Sequence, residues 1–67
     1  MKLTINGEAR EVPDEVGTVL GLLSHLGLAD TRVAVEVNGA IVRRASWEGA
    51  PVADGDVVEV VQFVGGG

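Results

Sequence analysis

Two Asn-Gly dipeptides, Asn6-Gly7 and Asn38-Gly39, each stand between short runs of alternating apolar and polar residues, and that placement limits the fold more than any other feature of the chain. Both central residues of a two-residue hairpin loop take positive φ, a conformation open to Asn and Gly and costly for most other residues. Residues 1–12 therefore read as one antiparallel hairpin. Residues 33–42 read as a second, with Val33, Val35 and Val37 alternating with Ala34 and Glu36 before the turn into Ala40-Ile41-Val42. A two-residue loop in the first hairpin sets Leu3 opposite Arg10 and Met1 opposite Val12. Arg10 then falls on the apolar face, and its stem must reach outward along the sheet margin.

Between the hairpins, Pro13 to Gly17 reads as a turn and Thr18 as the N-cap of a helix. Val19, Leu22, Leu23 and Leu26 share one helical face at spacings of three and four. Gly27 supplies the stop. Gly21 costs about 1 kcal/mol relative to alanine, so the helix depends on packing more than on propensity. His25 is expected to face solvent. After the second hairpin, Arg43 to Glu48 has room for a single helical turn, with Arg43 and Arg44 solvated and Trp47 closing one end of the core. Ala53-Asp54-Gly55-Asp56 is a tight turn into a last strand, Val57 to Val64, whose nearly continuous apolar character fits a central position. The right-handed crossover rule lets that strand lie parallel to the first, in the middle of the sheet. The expected fold is α+β, a β-grasp: a mixed sheet with one helix packed across it.

A chain of 67 residues makes one domain, near the lower size limit for folding without staples. It has no cysteine and one histidine, which removes disulfides and argues against a zinc site of ordinary ligands. A formal charge of −5 disfavours nucleic acid and anionic membrane and favours a basic protein partner. No signal-peptide core or bilayer-length apolar run is present, so the expected location is the cytoplasm. No acid, base, nucleophile or metal set suggests a pocket, so the chain is not read as an enzyme.

The candidate reactive group is instead the carboxyl terminus. Residues 1–64 read as the globular domain and Gly65, Gly66 and Gly67 as a flexible tail able to thread a channel too narrow for side chains. From Val64 to Gly67 the chain spans at most about 13 Å. Strict alternation in the last strand points Val58 and Val60 at the helix and Glu59, Val61 and Phe63 to the opposite face. With Glu36 and Val64, these are the expected docking residues, apolar contact combined with negative charge.

Val37-Asn38-Gly39, Ile41-Val42, Arg44 to Trp47, Asp54-Gly55-Asp56, Val58 and Phe63-Val64-Gly65-Gly66-Gly67, in this order and over the whole chain, resemble the ThiS family of ubiquitin-like β-grasp proteins, the sulfur carriers of thiamine biosynthesis. The resemblance implies that an E1-like adenylating enzyme (ThiF) uses Mg-ATP to form an acyl-adenylate on Gly67. A persulfide donor such as a cysteine desulfurase then converts it to a thiocarboxylate, and thiazole synthase (ThiG) takes the sulfur. It also implies that Gly65, Gly66 and Gly67 thread the partner's active site and that the chain itself binds no cofactor. With no cysteine, any sulfur carried must sit on the backbone terminus. Rival readings are a carrier for molybdopterin synthesis or tRNA thiolation, a non-covalent β-grasp interaction module, and a modifier forming isopeptide bonds.

Overall fold

Asn6 and Asn38 each have φ of 51°, followed by Gly7 at 83° and Gly39 at 84°, the successive positive values that a tight hairpin loop demands. In the computed structural model, which describes residues 1–63, they join β1 (Lys2–Ile5) to β2 (Glu8–Glu11) and β3 (Val33–Val37) to β4 (Ala40–Val42). The first hairpin has the expected register, with Leu3 opposite Arg10; Leu3 is buried and Arg10 exposed on the edge strand. The Met1 ammonium donates to the Val12 carbonyl at 2.8 Å and to Asp14 Oδ1 at 2.6 Å. That hydrogen bond raises the pKa of the amine and lowers that of Asp14.

The last strand, β5 (Val57–Gln62), lies at the centre of a five-stranded sheet of order β2-β1-β5-β3-β4. It runs parallel to β1 and antiparallel to β3. With the helix α1 (Val19–His25) this is the expected ubiquitin-like β-grasp. β5 stops at Gln62, short of the expected Val64, although the Phe63 amide still donates to the Arg32 carbonyl at 3.0 Å. The expected boundary between a body of 1–64 and a tail of 65–67 falls outside the described residues.

A seven-residue helix containing a glycine survives because both its ends are satisfied. Thr18 Oγ1 accepts from the Gly21 amide at 3.0 Å. The Val19 and Leu20 amides donate to the carbonyls of Ala50 and Trp47, at 2.9 and 3.0 Å. A Cβ at position 21 would stand 3.3 Å from Thr18 Oγ1, so the glycine that weakens the helix also makes room for its cap. At the other end Leu26 is the C-cap rather than a helical residue. Gly27 has φ of 76°, and the Leu28 and Gly27 amides return to the carbonyls of Leu23 and Ser24 at 2.7 and 3.1 Å, a Schellman closure.

Val19, Leu22 and Leu23 from the helix are buried against Leu3, Val35 and Val58 from the sheet. Trp47 follows a single 3-10 turn, Arg44–Ser46, and closes the core as expected. Its Nε1 donates to the Val42 carbonyl at 3.0 Å, and the Arg44 guanidinium stands 5.1 Å from its ring centroid, within cation–π range. Among the described residues no helix is long and apolar enough to cross a membrane.

Candidate functional site

Along β5 burial alternates without exception from Val57 to Val61. Val58 and Val60 face the helix and are buried, while Val57 is 43%, Val61 57% and Phe63 60% exposed, as is Ile41 on β4 at 75%. These four are the large exposed apolar side chains among the described residues, and register puts them on one face. Ala34 pairs with Val61, Glu36 with Glu59, and Ile41 with Glu36 across the second hairpin. Expected residues Glu36, Glu59, Val61 and Phe63 therefore do share the open face of the sheet. Val64, Gly65, Gly66 and Gly67 lie outside the described residues.

Ile41, Val57 and Ala34 belong to the same face and were not among the expected residues. The signal for Ile41 was available: two residues after Gly39 in a two-residue-loop hairpin, it must stand opposite Glu36. Val57 shares the parity of Glu59 and follows from alternation alone.

Glu36 and Glu59 form a direct cross-strand pair of like charge. Such pairs destabilise a sheet, and among the described residues neither carboxylate is in an ion pair. Arg43 follows β4 in extended conformation, φ −69° and ψ 149°, which by alternation keeps it on the side of Ile41, one register position nearer the end of β5. A cation from outside would relieve the glutamate pair at little cost in desolvation. Glu59→Gln is accordingly expected to raise stability by about 0.2–1 kcal/mol while weakening association with a basic partner and flattening its salt dependence. Chemical denaturation and calorimetric titration at two ionic strengths check both halves.

β5 is fastened at two points by the hairpin asparagines. Near its start, Asn38 Oδ1 accepts from the Val57 amide at 2.9 Å and Asn38 Nδ2 donates to Asp56 Oδ1 at 3.0 Å. Farther on, Asn6 Oδ1 accepts from the Val60 amide at 2.8 Å and Asn6 Nδ2 donates to the Val60 carbonyl at 3.1 Å. Among the described residues no group of His, Cys, Asp and Glu could hold a metal ion, and His25 is exposed. What the arrangement offers chemically is an open sheet face with exposed apolar side chains around the Glu36–Glu59 pair, on the strand whose sequence continues into Gly65-Gly66-Gly67.

Comparison with known proteins bears on the family of the chain. The chain is 48% identical over 67 residues to a thiazole synthase of Paramagnetospirillum magneticum, spanning 20% of that longer protein's length. A second thiazole synthase, from Magnetococcus marinus, is 46% identical over 68 residues and is likewise spanned over 20% of its length. The sulfur carrier protein ThiS of Bacillus subtilis is 35% identical over 65 residues, covering 97% of this chain and 98% of that one. A crystal structure of the thiamine biosynthesis protein ThiS from Geobacter metallireducens superposes with a TM-score of 0.83 at 40% identity, each chain covered over 100% of its length. The profile of the ThiS family matches residues 3–67, and the chain belongs to the ThiS family.

Proposed function

We propose that the chain is the sulfur carrier for thiazole formation in thiamine biosynthesis, a protein co-substrate acting in the cytoplasm rather than an enzyme. The Gly67 carboxylate attacks the α-phosphate of Mg-ATP in an E1-like adenylating enzyme (ThiF) and releases pyrophosphate. The terminal sulfur of a persulfide donor such as a cysteine desulfurase attacks the acyl carbon and displaces AMP, giving an acyl disulfide with the donor cysteine. A thiol then cleaves that S–S bond, leaves as a disulfide with the donor cysteine and frees the thiocarboxylate, which delivers the sulfur to thiazole synthase (ThiG). The observation that carries this reading is the open face of β5, where Val57, Val61 and Phe63 are exposed beside the Glu36–Glu59 pair, on the strand whose sequence continues into three glycines. A face of that kind docks the body while the glycines reach the chemistry. The thiazole synthases among the relatives support the choice of acceptor.

Phe63→Ala is expected to leave stability within about 0.5 kcal/mol, as surface substitutions do. It should weaken binding to the adenylating enzyme by about 1–3 kcal/mol, as loss of an aromatic anchor does. Thermal melts and calorimetric titration separate the two quantities. A large stability loss with unchanged affinity would place Phe63 in the core and docking elsewhere. The function itself is tested by offering the thiocarboxylate form of the chain to two acceptors. Turnover with thiazole synthase and none with the large subunit of molybdopterin synthase is the expected result; the reverse would assign the chain to molybdopterin synthesis.

A further inference from the structure

We propose that Asn6 is a positioning residue for the tail, its side-chain amide standing in for an absent strand residue and holding the end of β5 in line with the sheet. Among the described residues β1 pairs with β5 only at Thr4 with Val57 and Ile5 with Val58, and the chain then turns away at Asn6-Gly7. The antiparallel ladder with β3 uses the odd residues of β5. The Asn38 amide donates to the Val57 carbonyl at 2.7 Å and the Phe63 amide to the Arg32 carbonyl at 3.0 Å. Alternation then aims the backbone groups of Val58, Val60 and Gln62 toward β1. The Asn6 backbone amide serves Val58, donating to its carbonyl at 2.9 Å. No strand residue of β1 reaches Val60, and there the Asn6 carboxamide meets both backbone groups, accepting at 2.8 Å and donating at 3.1 Å.

The turn alone does not ask for this side chain. Asp-Gly or Gly-Gly makes the same loop, but of the residues this turn favours at its first central position only asparagine presents a donor and an acceptor together. Through Val60 the clamp fixes the strand immediately ahead of Val61 and Phe63, so those side chains stay turned to the open face. Without it, a partner would have to order this segment on binding, at a cost in affinity. The inference rests on the proposed carrier function, since it is the adenylating enzyme that must receive face and tail together.

Asn6→Gly keeps a turn that accepts positive φ and removes only the amide. Hydrogen exchange followed by NMR is expected to show the Val60 amide exchanging roughly five- to tenfold faster, the effect of losing about one net hydrogen bond, with the amides of the first hairpin still protected. In adenylation assays KM for the chain should rise by a similar factor while kcat stays within about twofold, the pattern of lost uniform binding. Asn6→Asp keeps the acceptor for the Val60 amide and loses the donor, and should fall between the two. Unchanged Val60 exchange would overturn the clamp. Faster exchange with unchanged KM, or kcat and stability falling in step, would overturn the positioning role. Absence of adenylation of the wild-type chain would overturn the proposed function instead, with Val60 exchange still deciding the clamp.

Discussion

Removing Gly67, or Gly66 and Gly67 together, is expected to abolish ATP–pyrophosphate exchange with the adenylating enzyme while leaving the thermal melt of the domain unchanged. Among the described residues of β5 the buried core ends at Val60, and removing glycines beyond Val64 takes away none of those core residues. Either truncated chain still ends in a glycine carboxylate. What changes is reach: each residue lost withdraws that carboxylate by about 3.5 Å from the α-phosphate. A displacement of about 1 Å can already cost 100-fold in rate, so a full residue leaves the nucleophile outside attacking distance. Exchange at the wild-type rate by either truncated chain would show that the terminal carboxylate at Gly67 is not the group activated.

Leu22→Ala is expected to have the largest effect on folding. Leu22 is fully buried, together with Leu23 and Val19, against the central strands. Truncating a buried leucine costs about 2–5 kcal/mol through lost transfer energy and the cavity left behind. A core in a domain of this size rarely supplies more than about 3–5 kcal/mol in total. The variant should therefore be largely unfolded at physiological temperature, by circular dichroism and by loss of amide protection. Leu20→Ala, on the half-buried side of the same helix, should cost distinctly less. A Leu22→Ala melt indistinguishable from wild type would mean that the helix is not the lid of this core.

Local chemistry made most of this fold legible. The two Asn-Gly turns, the three-and-four spacing of Val19, Leu22, Leu23 and Leu26, and the apolar run from Val57 each announce an element through its own residues. The open face was legible for the same reason, because a period of two assigns Glu59, Val61 and Phe63 to one side once Val58 and Val60 are given to the other. Contributions that depend on contact across the chain were not legible. Val16 and Val52 are core residues in segments without periodicity. They are held there by long-range pairing, a bridge between Thr18 and Pro51 and a bond of 3.1 Å from the Val52 amide to the Gly17 carbonyl. The same segment satisfies the helix's first amides through Trp47 and Ala50, which no local rule could supply.

The asparagines make the limit concrete. In the sequence Asn6 and Asn38 are turn residues and nothing more, since φ is all that a hairpin signal encodes. Their bonds to Val60 and Val57 cross 54 and 19 positions of the chain and exist only after β5 has slotted between the hairpins. The Glu36–Glu59 pair is similar. Each residue was expected on the open face, but their direct opposition depends on the register between β3 and β5, which neither strand specifies alone. Two carboxylates side by side where a lysine would stabilise the sheet cost it stability.

The most direct test is to incubate the purified chain with the adenylating enzyme, Mg-ATP, a persulfide donor and a thiol reductant, and then to measure its intact mass and fragment it in the mass spectrometer. The carrier account predicts the mass gain of one oxygen replaced by sulfur, carried by the fragment containing Gly67 and lost in the chain lacking Gly66 and Gly67. A gain located on any other fragment, or none while the Bacillus subtilis relative is loaded under the same conditions, would contradict it.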